Sequence, residues 1–388
     1  MSLKILYLVP HLGKGGAEEL IVRLATDLSK KNNVNLVLFF NLVEASYNTS
    51  RLPKEVNVSY LFNKKINYLS KERHLYTALS YLLSPLFAMY LYFKNKFFLY
   101  DVVHVNLTLP SFYLAFFKPL KKILFRNEVY VQTFHTNLHL LKGISRFLNV
   151  FSWKFSDSFV YEIFKEEGEK FKEYINEEKI EYIPFGYCSK IDNKNLNSHL
   201  THDIDIYIPS GHKVFMTISR VRFFEKKIDV MIRAMSYYKK INDKFIFIIA
   251  GNGEDLSKAK SLACDLGLSD HVKFLGYVDN PEQLAKIADV FLVAVVGKST
   301  GVSGMQAIAN QKVVIGVQTV QSYDDADEGL LTAAYPHEVA AILHSLDDNA
   351  LCRDYKTTMV EIANENCENE LQFSARYKSL YSKLLETR

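Results

Sequence analysis

Cysteine is scarce in this sequence. Four residues in 388 (Cys188, Cys264, Cys352 and Cys367) are scattered, with no C-x-x-C pair and no metal-ligand spacing. The scatter excludes a disulfide framework and a zinc site of familiar spacing, and fits buried or idle thiols in a reducing cytoplasm. A secretory leader is not expected either: Met1-Ser-Leu-Lys-Ile-Leu-Tyr-Leu-Val-Pro10 has one lysine and an apolar run too short for one. It reads as the first strand of a fold. There is no internal repeat and no low-complexity segment. Charged residues make up 23% of the chain against 48% hydrophobic, which excludes wholesale disorder. The length suits two domains rather than one core.

Long apolar runs are nearly absent. The exception, Tyr76–Phe93 (YTALSYLLSPLFAMYLYF), carries no charge over 18 residues, the lower limit for a membrane span. Pro85, three serines or threonines and four tyrosines interrupt it, and no second span follows. A buried or interfacial helix is expected, with a true span as the open alternative.

The net charge of +4 says little, but its distribution says more. Between Leu61 and Tyr130 stand ten Lys or Arg against three acids, in a stretch crowded with Tyr and Phe. Basic, aromatic and aliphatic side chains together suit a surface lying against anionic lipid headgroups. Nucleic acid would attract the same charges, but no recognition motif accompanies them, so no nucleic-acid partner is expected.

Strand-like and helix-like runs alternate from the start: strands at Lys4–Val9, Val34–Phe40, Asp101–Val105 and Glu128–Phe134, and a helix at Ala17–Ser29. After the polar, turn-rich segment 191–209 the rhythm resumes, with strands at Val214–Ile218, Phe245–Ala250, Val272–Leu275, Val290–Val295 and Val313–Val317. The pattern predicts an α/β fold of two Rossmann-like domains facing across a cleft. Their expected bounds are 1–190 and 210–369, with the terminal helix 370–388 (Phe373, Tyr377, Tyr381) packing back on the first domain.

Four features carry chemistry. In Gly13-Lys-Gly-Gly-Ala-Glu18, Gly15 and Gly16 let backbone approach a ligand ahead of a helix N-terminus, or simply make a turn. It is not a dinucleotide fingerprint, because Glu18 stands where the third glycine belongs. Arg220 and Lys226 flank a strand end and a helix start, which suits a diphosphate, although either alone reads as a solvated cation. Gly297–Ala309 (GKSTGVSGMQAIA) feeds a helix, so that Gly301, Val302, Ser303 and Gly304 offer N–H groups and a hydroxyl to phosphate oxygens, or form an ordinary capped start. His135 ends a strand in VQTFHT, a place for a structural histidine unless it faces the cleft.

In this order the features resemble the retaining GT-B glycosyltransferases of family four, the glycosyl transferases group 1, over nearly the whole chain and most specifically in its second half. Tyr182-Ile-Pro-Phe-Gly-Tyr187 is similar to the family's interdomain turn. Ser219-Arg220 with Glu225-Lys226-Lys227 and Asp229 resembles its diphosphate-gripping pair. IIAGNG, with Gly251 and Gly253, and VKFLGY, ending at Tyr277, resemble the strand ends around the nucleotide base. The resemblance implies that Gly15 and Gly16 lie under the donor phosphates and that His135 contacts the donor sugar. It implies a retaining, metal-independent hexosyltransferase with no cofactor beyond its nucleotide-diphosphate sugar. Asp203-Ile-Asp205 is then not a metal motif, and Asp324–Glu328 is a solvated acidic loop. The departing diphosphate oxygen would help to deprotonate the acceptor while Arg220 and Lys226 stabilise the charge.

One departure is visible. The family carries two glutamates, and here Gln306 and Lys298 align with them, or Thr300 with the first if a gap intervenes. Gln306 retains the ability to accept a ribose hydrogen bond. The resulting expectation is a bacterial, cytoplasmic enzyme peripheral at the inner face of the plasma membrane, adding a sugar to a lipid-linked or saccharide acceptor in capsule or lipopolysaccharide O-antigen synthesis. A catalytically impaired homologue that stabilises another transferase is the alternative, and nucleotide-sugar epimerisation a third.

Overall fold

The computed structural model describes residues 2–13, 15–68, 70–135, 138, 141, 143–162, 168–186, 207–278, 281–295, 300–319, 330–368 and 370–387. The chain forms two compact units, one of Met1–Gly186 with Glu370–Arg388, the other of Tyr187–Asn369. The linker expected at 191–209 lies, up to residue 206, outside the described residues, as do Cys188, Asp203, Asp205, Lys298 and the acidic run Asp324–Glu328.

In the first unit, among the described residues, seven parallel strands pair in the order β3-β2-β1-β4-β5-β6-β7. They are β1 (Lys4–Val9), β2 (Asn33–Leu42), β3 (Asn57–Ile66), β4 (Val102–Asn106), β5 (Val129–Phe134), β6 (Ser158–Tyr161) and β7 (Ile180–Tyr182). Ile5–Val9 and the whole of β5 are buried, as strands covered on both faces must be, and this is why they read as unbroken apolar runs. Between β1 and β2 the helix Gly16–Ser29 buries Leu20, Ile21, Leu24 and Leu28, spaced along one helical face. The strand order reverses between β1 and β4, the place where open α/β sheets leave a crevice at their carboxyl edge.

A two-residue strand β8 (Phe185–Gly186) ends this stretch. The second unit repeats the design with β9 (Lys213–Ile218), β10 (Phe245–Ala250), β11 (Val272–Gly276), β12 (Val290–Val295), β13 (Val313–Gln318) and β14 (Leu331–Ala333), all parallel, in the order β11-β10-β9-β12-β13-β14. Phe215, Phe247, Leu292 and Ile315 from the sheet pack with Met231, Tyr238, Val339 and Leu343 from the helices Ile228–Lys239 and Pro336–Ser345. Here the order reverses between β9 and β12.

The terminal helix Glu370–Glu386 belongs to the first unit, where Phe373, Tyr377 and Tyr381 are buried and Ser374 donates to Asp27. The apolar segment Tyr76–Phe93 is not one helix. It breaks into Lys71–Leu82 and Ser84–Lys94, bent by 88°, because Pro85 cannot continue the first but fits the first turn of the second. Among the described residues no single helix is long and apolar enough to cross a membrane.

Candidate functional site

At the carboxyl edge of the first sheet, the glycine turn follows β1. The Gly13 N–H donates to His11 Nδ1 (3.1 Å) and the Gly15 N–H to the Gly13 carbonyl (3.1 Å). A Cβ on Gly15 would stand 2.2 Å from a Glu18 carboxylate oxygen, because the helix folds its own acid back over the turn, and a side chain there would have to displace Glu18. His11 Nδ1 lies 3.4 Å from the same carboxylate. The loop therefore carries a negative charge beside Gly15 and Gly16, which a phosphate would meet unless Glu18 turned away.

His135 stands one residue past the end of β5. The flanking strands end in polar residues too, Asn106 closing β4 and Glu162 following β6, and the parallel register aligns Asn106 with Thr133 and Phe134 with Tyr161. All three side chains meet: His135 Nδ1 is 2.8 Å from Glu162 Oε2, and Nε2 is 2.9 Å from Asn106 Oδ1. Only 4% of the His135 side chain is exposed. Asn106 Nδ2, beside it, is buried with no hydrogen-bond partner among the described residues. Sequence reading missed Asn106 and Glu162. The signal available was that each is a polar residue closing an apolar strand.

In the second unit the chain leaves β9 through Ser219-Arg220, at the reversal beside β12. The half-exposed Arg220 guanidinium reaches Glu225 at 3.9 Å, a carboxylate that also binds Arg222 at 2.9 Å. Lys226 ends the short helix Phe223–Lys226. Burial holds its ammonium below the ordinary lysine range, and the positive Arg220 adds to that. Two cations forced together in this way form a pair that a multivalent anion would relieve. Gly251 and Gly253 serve the same loop: a Cβ on either would collide with a backbone carbonyl oxygen, of Ser219 at 1.8 Å and of Val221 at 2.3 Å. Tyr277 follows β11 and is partly exposed.

The helix Gly301–Ala309 follows β12 on the other side of the reversal. The Thr300 side chain does not cap it, and among the described residues no acceptor meets the first-turn N–H groups of Gly301, Val302 and Ser303. Gly304 is glycine because Thr300 packs against it, its Cβ 2.4 Å from where a Cβ of residue 304 would lie. Thr300 is buried by that packing, as is Gln306. Among the described residues no three His, Cys, Asp or Glu side chains gather as metal ligands.

Two parallel sheets, each reversing beside its first strand and each bearing glycine turns there, make up an α/β architecture of the GT-B kind. Residues 202–356 match the family described as glycosyl transferases group 1. The alpha-monoglucosyldiacylglycerol synthase of Streptococcus pneumoniae is 30% identical over 110 residues, 28% of this chain and only 25% of that protein's length. Among solved structures, HepE of Anabaena in complex with UDP and glucose aligns over 98% of this chain and 100% of its own, with 15% identity and a TM-score of 0.73. WaaG, a glycosyltransferase involved in lipopolysaccharide biosynthesis, aligns over 97% and 99%, with 13% identity and a TM-score of 0.67. At such identities these likenesses speak for the fold.

Proposed function

We propose that the protein transfers a sugar from a nucleotide-diphosphate sugar, with retention and without a metal or cofactor, to a lipid-linked acceptor at the anionic inner face of the plasma membrane. The observation that carries this is a set of exposed apolar side chains with cations beside them on the first unit. Leu75, Leu82, Leu86, Met89, Tyr90 and Phe93 are exposed along the bent helix pair, although Ala88, Leu91 and Tyr92 of the same segment are buried. Phe125 is 91% exposed at a left-handed turn (φ 52°) between Lys122 and Arg126. Holding a large residue in that conformation costs energy that packing inside the unit does not repay. The cations sit on the aromatics, Lys94 over Tyr90 at 5.1 Å and Arg126 over Phe98 at 4.9 Å. Each apolar side chain that entered a bilayer would contribute about 1.5–3 kcal/mol, and each nearby cation about 1 kcal/mol on an anionic surface.

In this reading Arg220, Lys226 and the N–H groups of Gly301–Ser303 take the diphosphate, Gln306 the ribose, and His135 the transferred sugar. The departing phosphate oxygen accepts the acceptor's proton. The names of two similar proteins, an alpha-monoglucosyldiacylglycerol synthase and a glycosyltransferase involved in lipopolysaccharide biosynthesis, agree with a lipid-borne acceptor in surface-polysaccharide or envelope synthesis. Flotation with phosphatidylglycerol-containing vesicles tests it. Binding that falls with added salt is expected, and failure to float with anionic vesicles would remove the membrane acceptor.

A second reading is favoured by Gln306, a buried neutral residue where the resemblance implies a glutamate. A binding partner of another transferase would tolerate Arg220→Ala and Lys226→Ala in the cell, whereas an enzyme would not.

A further inference from the structure

A chain of buried hydrogen bonds runs through the first unit to His135. Tyr7 Oη and Tyr381 Oη are 3.0 Å apart, and Tyr381 Oη lies 2.7 Å from His104 Nδ1. His104 Nε2 is 2.7 Å from Thr133 Oγ1, which is 3.0 Å from Tyr377 Oη. Tyr377 donates to Glu162 Oε1 over 2.6 Å, and Glu162 Oε2 faces His135 Nδ1. Burial raises all three phenols above the ordinary tyrosine range and holds His104 well below the ordinary histidine range, so the phenols keep their protons and the ring is neutral.

Those links admit one direction. Tyr377 has a single proton and gives it to the carboxylate, so its oxygen accepts from Thr133. Thr133 has then spent its proton and must accept from His104 Nε2–H. The bare Nδ1 of His104 accepts from Tyr381, and Tyr381 accepts from Tyr7. Every donor points towards Glu162, whose second oxygen is left for the His135 Nδ1–H. Polar groups in so dry a place leave few alternatives, since an unmade bond costs about 1–3 kcal/mol.

We propose that Glu162 and Tyr377 are positioning residues for His135. The terminal helix, through Tyr377, fixes the carboxylate that keeps Nδ1 protonated and turned inward, and so directs Nε2 at the Asn106 amide, which a sugar hydroxyl would have to displace to reach the ring. This rests on the reading that His135 serves the transferred sugar. It deepens that reading by naming what fixes the working nitrogen.

The test is long-range ¹H–¹⁵N NMR of histidine-labelled full-length protein, with His104 and His135 assigned by substitution. The wild type should show His104 as the Nε2–H tautomer and His135 protonated at Nδ1. Glu162→Gln should abolish the His135 Nδ1–H signature. Tyr377→Phe removes the acceptor for Thr133, which then turns to His104 Nε2, and His104 should switch to the Nδ1–H tautomer. Tyr7→Phe, at the donor end, should leave both rings unchanged. Helix packing alone would move none of these signals. A wild-type His104 protonated at Nδ1, or a His104 indifferent to Tyr377→Phe, would overturn the proposal, even if Glu162→Gln does not fold. Titration of the same variants with UDP and GDP separates the two readings. Affinity for the nucleotide that binds should survive Tyr377→Phe, and a wild type that binds neither would sink the transferase reading while leaving the chain of bonds standing.

Discussion

A Cβ on Gly251 would stand 1.8 Å from the carbonyl oxygen of Ser219, at a φ of 138° that L-residues rarely adopt. The loop after β10 therefore presses on the loop that presents Arg220, and the Gly251 N–H closes the arrangement on the Gly276 carbonyl at 2.6 Å. Gly251→Ala should push Ser219 and Arg220 out of place. We expect a loss of about 1–3 kcal/mol of stability and at least about a tenfold weaker UDP affinity, read by thermal melting and calorimetry.

Lys226 gives a pH dependence. Its ammonium is depressed below the ordinary lysine range by burial first and Arg220 second, and a bound diphosphate favours the charged form. Nucleotide affinity should therefore not depend on this group at pH values below its titration in the free protein. It should fall as pH rises through the free protein's Lys226 titration, at a pH below that of an ordinary lysine, with a proton taken up on binding there. Calorimetry in buffers of different ionisation enthalpy reads that proton. Lys226→Arg should flatten the decline.

Tyr92 and Tyr130 both donate to Glu128 Oε1, at 2.7 and 2.9 Å, and so tie the helix Ser84–Lys94 to the start of β5, the strand that leads to His135. Tyr92→Phe removes a donor from a buried carboxylate and should cost about 1–3 kcal/mol in urea unfolding. Vesicle binding per molecule should not change, because the Tyr92 ring is buried and takes no part in the exposed face.

On that face, Leu86→Ser with Phe125→Ser should cut partitioning into anionic vesicles by at least about tenfold while leaving UDP affinity intact. Each side chain is exposed, so stability should change by no more than about 0.5 kcal/mol. Equal vesicle binding by the double variant would remove this face from the membrane reading.

The fold was legible where strands are buried on both faces. Lys4–Val9, Phe245–Ala250, Val290–Val295 and Val313–Gln318 announce themselves as apolar runs because helices cover both sides. Asn57–Ile66 did not: it is an edge strand, mostly half-exposed, and its sequence NVSYLFNKKI mixes polarities. The three-residue strands Ile180–Tyr182 and Leu331–Ala333, also at edges, are too short for any period. Arg220 and Lys226 stood out as cations at a strand end. Glu162 and Tyr377 did not, since 215 positions separate them and only the folded sheet joins them to His135. The apolar run Tyr76–Phe93 signalled its composition but not its 88° bend, which Pro85 sets.

The proposed diphosphate site of Arg220 and Lys226 is tested most directly by calorimetric titration with UDP and GDP, wild type beside Arg220→Ala. Dissociation constants on the order of micromolar for one nucleotide, weakened at least about tenfold in the variant, are the predicted result. Binding of neither nucleotide, or equal binding by the variant, would contradict it.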